Sequence, residues 1–136
     1  MITKLRSRRW ILAATLVLLL LTLAACKRGG SSDLPDIGLT LEIDPSPPAV
    51  GLAMLTLTLT DANGQPISDA KLDIEGNMSH AGMTPVFSQA TPFEAGKYRA
   101  PLELTMGGDW FVLVKTTLPN GRTFERQIDL PGVASN

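Results

Sequence analysis

The sequence predicts an all-β fold, an antiparallel two-sheet β-sandwich of about seven strands behind an N-terminal leader. Three observations predict it. From residue 38 onward apolar and polar residues alternate with period two, the pattern of strands with one buried face. Gly, Pro, Asn and Asp interrupt these runs about every eight to twelve residues, the spacing of short strands joined by tight turns. After residue 26 no stretch repeats its apolar residues at helical spacing. A chain of 136 residues fits one such domain.

The leader comes first. Lys4, Arg6, Arg8 and Arg9 open the chain without an acid, and Trp10 to Ala25 is apolar apart from Thr15 and Thr22. That run is shorter than the roughly 20 residues a spanning helix needs, and it ends on small residues, so residues 1–25 read as a signal peptide. Leu23-Ala24-Ala25-Cys26 resembles the lipobox of bacterial lipoproteins. The resemblance implies cleavage before Cys26 and acylation of its thiol and new amino group by palmitate-type chains, since two or more chains anchor stably where one is marginal. Cys26 is the only cysteine, so no intramolecular disulfide can form, and lipidation explains the lone thiol. Residues 26–37 read as the lipidated Cys and a Gly/Ser-rich flexible tether. In enterobacterial lipoproteins an Asp after the Cys retains the protein at the inner membrane; Lys27 stands there and points to the outer membrane. The expected location is the cell envelope, facing the periplasm, with the membrane as a partner through the lipid anchor.

The strands follow in order over residues 38–131. Leu39, Leu41 and Ile43 alternate with Thr40, Glu42 and Asp44, until Pro45, Pro47 and Pro48 stop the run. Leu55, Leu57 and Leu59 alternate with Thr56, Thr58 and Thr60, and threonine suits the exposed face of a pleat. Asp61 to Pro66 is a turn built on Asn63-Gly64. Leu72 and Ile74 alternate with Lys71, Asp73 and Glu75. A loop is expected from Gly76 to Pro92, with a short strand at Val86–Gln89 inside it. Tyr98, Ala100, Leu102 and Leu104 form the next inner row, and Pro101 places that strand at an edge or at a bulge because it donates no backbone hydrogen bond. Trp110 to Lys115 reads as a central strand, Asn120-Gly121 as a turn, and Thr123 to Leu130 as the last strand. Trp110 and Tyr98 are the expected core anchors, each with a large apolar body and one polar handle.

Charge and residue inventory exclude several functions. Four of the 12 Lys and Arg sit in the leader, so eight face 13 acids in the mature chain and its net charge is −5. No basic run survives, and nucleic acid is not expected as a partner, because phosphate binding needs clustered Lys and Arg. His80 is the only histidine, no thiol is free once Cys26 is lipidated, and no nucleophile elbow, phosphate-cradling Gly loop or zinc spacing occurs. The protein is therefore not expected to be an enzyme.

Asp61-x-x-Gly64-x-Pro66-Ile67-x-x-Ala70, a Met-containing loop, Gly96-x-Tyr98 and Met106-x-Gly108-x-Trp110 appear in this order. The arrangement resembles the YtkA-like domain, related to FixH-type proteins, over residues 38–130. The resemblance implies an Ig-like β-sandwich, an exported location and an association with copper handling or respiratory-oxidase assembly. FixH itself has a membrane-spanning N-terminus where this chain has a lipobox. Within the Met loop, Met78, His80 and Met83 carry soft or borderline neutral donors that together suit Cu(I), with Met106 a candidate fourth ligand. By residue type alone these methionines read as flexible fillers of the sandwich's open end, with His80 a surface residue, and it is the family's association with copper that raises the metal reading. Two functions remain: a copper-binding lipoprotein, or a non-catalytic Ig-like module that docks onto an envelope partner.

Overall fold

The computed structural model describes Leu34, residues 36–80 and residues 82–135. The expected signal peptide, the expected lipidation site Cys26 and the expected tether as far as Asp33 lie outside the described residues. Seven strands follow one another: β1 (Gly38–Asp44), β2 (Gly51–Thr60), β3 (Lys71–Met78), β4 (Val86–Glu94), β5 (Lys97–Leu104), β6 (Gly108–Thr117) and β7 (Thr123–Val133). Every pairing between them is antiparallel, in the order β1-β2-β5-β4-β3-β6-β7.

This continuous sheet folds into two layers at β4. The first half of β4, Val86 to Ala90, pairs with β3, and the second half, Thr91 to Glu94, pairs with β5. The register slips between Pro92 and Glu94, where the strand changes partner; a bulge bends a strand in this way. The inner rows then face each other. Leu55, Leu57 and Leu59 of β2 and Tyr98, Ala100 and Leu102 of β5 share one buried core with Leu72 and Ile74 of β3 and Val112 and Val114 of β6. Contact between the layers is close at Gly76 of β3, where an added Cβ would sit 2.9 Å from Leu102 Cδ1. Each buried aliphatic side chain in this core contributes about 1.5–3 kcal/mol.

The alternating runs thus become the strands they predict, and Trp110 and Tyr98 are buried. β6 is central, between β3 and β7. Pro101 lies on β5 beyond Arg99, the last β5 residue paired with β4, so one edge of β5 is open there and no partner is denied a bond. Two boundaries differ from expectation. The loop expected over Gly76–Pro92 shrinks to the residues between Met78 and Val86, because Gly76, Asn77 and Met78 continue the ladder with Val112, Phe111 and Trp110. The short strand expected at Val86–Gln89 runs on to Glu94 because it serves both layers in turn.

The sandwich has two distinct ends. At one, Ile37 is buried, Asp36 accepts two hydrogen bonds from Arg122 Nη2 at 3.1 and 3.2 Å, and the Leu34 and Ile37 carbonyls accept from Arg126. Contacts with the domain therefore reach back to Leu34, within the segment read as tether. The β2–β3 connection and the β4–β5 and β6–β7 turns share this end, as the registers require. At the other end lie the β1–β2 and β3–β4 loops, the β5–β6 turn and the tail of β7. There Ala134 exchanges backbone hydrogen bonds with Pro48 and Val50, which joins the two layers.

Candidate functional site

The residues singled out as metal donors all fall at this second end. Met78 is the last residue of β3 and lies directly opposite Trp110 of β6. It continues the inner row of Leu72, Ile74 and Gly76, and it is half-buried against the core. Met78 is therefore a strand residue, where the sequence placed it in a loop. Its methyl group would be 3.3 Å from a Cβ on Gly108. Gly108 has φ +126, a conformation that L side chains rarely adopt, so glycine both permits the turn and leaves room for the methionine.

The turn before Gly108 carries Met106, which is 50% exposed. Trp110 fixes this turn: its indole Nε1–H donates to the Met106 carbonyl at 2.9 Å while the ring is buried. The spacing Met106-x-Gly108-x-Trp110 is thus one local device, a turn, a clearance and a clamp. Beyond β3, the Ser79 N–H donates to the Asp109 carbonyl at 3.0 Å, so the loop leaves the sheet from a fixed point. His80 and Met83 follow in the exposed loop, with Gly82 at φ 87 between them. The structure brings Met78 against the turn that carries Met106. His80 and Met83 share the same end, standing out toward solvent.

Two carboxylates near this end escaped the sequence reading. Asp109 and Asp129 help line a shallow cavity of about 490 Å³ with Ser79, Phe111 and Gln127 on the outer face of the β6–β7 sheet. Asp109 Oδ1 accepts the Gly132 N–H at 2.9 Å, and Asp129 Oδ1 accepts from Gln127 Nε2 at 2.9 Å. Only the strand register relates them, because twenty residues separate them in the chain. Among the described residues no group of three or more His, Cys, Asp or Glu gathers to hold a metal ion. Asp109 and Asp129 already accept hydrogen bonds, and the residues singled out from the sequence supply thioether sulfur and one imidazole, a set suited to a soft monovalent ion.

A family model described as YtkA-like matches residues 36–115. No curated protein matches the chain. Among solved structures, the soluble domain of PmoD from Methylocystis sp. ATCC 49242 (Rockwell) is 16% identical, with 82% of this chain and 99% of that one covered at a TM-score of 0.47. Murine CRIg is 10% identical, with 73% of this chain and 98% of that one covered at a TM-score of 0.40.

Proposed function

This chain belongs to the YtkA-like family, and from that premise we propose that it is a membrane-tethered, exported, non-catalytic lipoprotein that binds or passes Cu(I) through its Met/His end. One observation carries the reading: Met78 sits at the mouth of the sandwich with its methyl group against the turn bearing Met106, and the loop leaving Met78 carries His80 and Met83. Met78 and the Met106 turn are held by the sheet and by the Trp110 clamp, while His80 and Met83 stand exposed in the loop beyond them. Such a division suits a carrier, because a partner can exchange the exposed ligands one at a time. Thioethers and neutral imidazole add no charge, so they favour Cu(I) over Zn(II), which takes thiolate, several imidazoles or carboxylates.

The test is an anaerobic competition titration of residues 33–136 against a Cu(I) chelator. Met78→Leu, His80→Ala, Met83→Leu and Met106→Leu are each expected to weaken binding about tenfold or more, a loss of about 1.4 kcal/mol or more. Leucine keeps volume and apolarity, so it separates ligation from packing. A wild type that cannot compete, or a combined variant that competes equally well, overturns the reading. A second reading is a module that docks onto an envelope or respiratory-complex assembly partner. It is favoured by the exposed apolar pair Leu52 and Met54 on β2, 67% and 38% exposed.

A further inference from the structure

The outer face of the β1-β2-β5 layer changes character along its length. At the Met/His end, Leu52 and Met54 of β2 point outward, and the exposed Pro101 lies opposite Met54. Asp44 of β1 flanks Met54 on the other side, and Glu103 of β5 lies opposite Leu52. An apolar centre thus sits between two exposed carboxylates. Neither carboxylate is engaged in an ion pair with another described residue. Farther along the same layer the outward residues become Thr40 and Glu42 of β1, Thr56 and Thr58 of β2, and Arg99 and Lys97 of β5, so the carboxylate there has cations on its own face.

Charge is segregated over the whole domain in the same direction. Residues 44–54, 75–90, 100–113 and 127–135, which make up the Met/His half, contain Asp44, Glu75, Glu103, Asp109 and Asp129 but no Lys or Arg. Every Lys and Arg among the described residues lies in the other half, where Lys71 pairs with Asp73, Lys97 with Glu94 and Arg122 with Asp36. The Met/His half therefore presents uncompensated negative charge around exposed apolar groups.

We infer that the Leu52–Met54–Pro101 patch docks a protein segment that presents apolar side chains between lysines or arginines. The inference rests on the docking reading above and does not use Met78, His80 or Met83. Charge selects the occupant. An anionic bilayer is repelled by Asp44 and Glu103, and a second copy laid patch to patch would set these carboxylates against their equivalents. A basic, apolar segment buries Leu52 and Met54 and satisfies both carboxylates, and its approach is accelerated by the field of the acidic half.

The experiment uses the full chain in phosphatidylcholine nanodiscs, with empty nanodiscs as the blank. Three fluorescent eight-residue peptides are titrated by anisotropy: alternating Leu/Lys, Ser/Lys and Leu/Glu. The Leu/Lys peptide is expected to bind, to weaken steeply with added salt, and to bind about tenfold or more better than either control. Leu52→Ser with Met54→Ser should reduce its affinity at least about tenfold. Asp44→Asn with Glu103→Gln should weaken binding and flatten its salt dependence, while Glu75, Asp109 and Asp129 still contribute. Phe93→Ser, in the half of the sandwich that carries the Lys and Arg, should change nothing, and circular dichroism checks that each variant is folded. Equal binding of the Ser/Lys peptide, or concentration-dependent self-association abolished by Leu52→Ser, overturns the inference. Leu/Lys binding that survives the patch variants but is lost in Phe87→Ser moves docking elsewhere, so this patch fails while the docking reading stands. Absence of binding by all three peptides overturns the inference and leaves the docking reading to partners of other chemistry. Peptide binding by the Met78→Leu, His80→Ala, Met83→Leu variant keeps the result separate from copper.

Discussion

Tyr98 and Thr116 each bury a hydroxyl, and they set opposite expectations. Tyr98 Oη donates to the Ile67 carbonyl at 2.8 Å and accepts from the Ala70 N–H at 3.1 Å, so one side chain pins the connection before β3 to the core. Tyr98→Phe strands that buried N–H and carbonyl, and should cost about 1–3 kcal/mol in chemical denaturation. Thr116 Oγ1 is buried with no hydrogen-bond partner among the described residues. Thr116→Val keeps the shape and removes the unsatisfied group, so it should leave stability unchanged or raise it by about 1 kcal/mol. A loss above about 1 kcal/mol would mean that the hydroxyl has a partner in solution. The sequence marked Tyr98 as a core anchor because it joins a large apolar body to one polar handle. It could not supply the hydroxyl's partners, which lie about thirty residues away and meet it only after the layers pack. Thr116 was harder still, because threonine suits an exposed pleat as well as an inner row shared with Val112 and Val114.

Turns and strands explain why the motif residues occur where they do. Asp61 Oδ1 accepts the N–H groups of Asn63 and Gln65, and Gly64 at φ 75 completes the turn after β2. Pro66 then lies against Gly96 in the β4–β5 turn. A Cβ on Gly96 would be 2.6 Å from Pro66 Cβ and 2.9 Å from the Leu59 carbonyl oxygen, and φ there is +68. Gly96→Ala should therefore destabilise by about 2–4 kcal/mol, from left-handed backbone strain plus the clash. Gly121→Ala is the control: φ is +82, but nothing lies within 4 Å of the new Cβ. It should cost only the strain, about 1–2 kcal/mol, and equal losses in the two variants would remove the packing explanation. Asp61-x-x-Gly64-x-Pro66 and Gly96-x-Tyr98 thus form one corner although thirty residues separate them. Element type was legible here because alternation and turn chemistry are local. The extent of β3 and β4 was not, since Gly76 and Pro92 look like breakers until the ladder with β6 and the change of partner within β4 are known. For the same reason Met78 read as a loop residue.

At the scale of the molecule, fold class followed from sequence because both inner rows are written in period two. The sharing of an end by Met78, His80, Met83 and Met106 depends on strand order, as does the concentration of all described Lys and Arg in the opposite half. Neither is a property of any local window. Net charge bears on the proposed attachment to a membrane. The chain from Cys26 onward carries −5, and only Lys27 and Arg28 adjoin the proposed anchor. Two such charges are worth about 1 kcal/mol each at an anionic surface, too little for stable attachment. The proposed attachment therefore rests on acyl chains at Cys26, two or more of them because one anchors only marginally. Intact-mass analysis of membrane-extracted protein is expected to show a chain that begins at Cys26 and carries lipid mass there. High salt should leave the protein with the membrane, since screening weakens ionic contacts and not acyl insertion. Cys26→Ser should lack the lipid mass, retain residues 1–25 and mislocalise the domain. An unmodified wild-type chain that still carries residues 1–25, or one released from membranes by salt alone, would defeat the anchor reading while leaving the sandwich and its Met/His end unchanged.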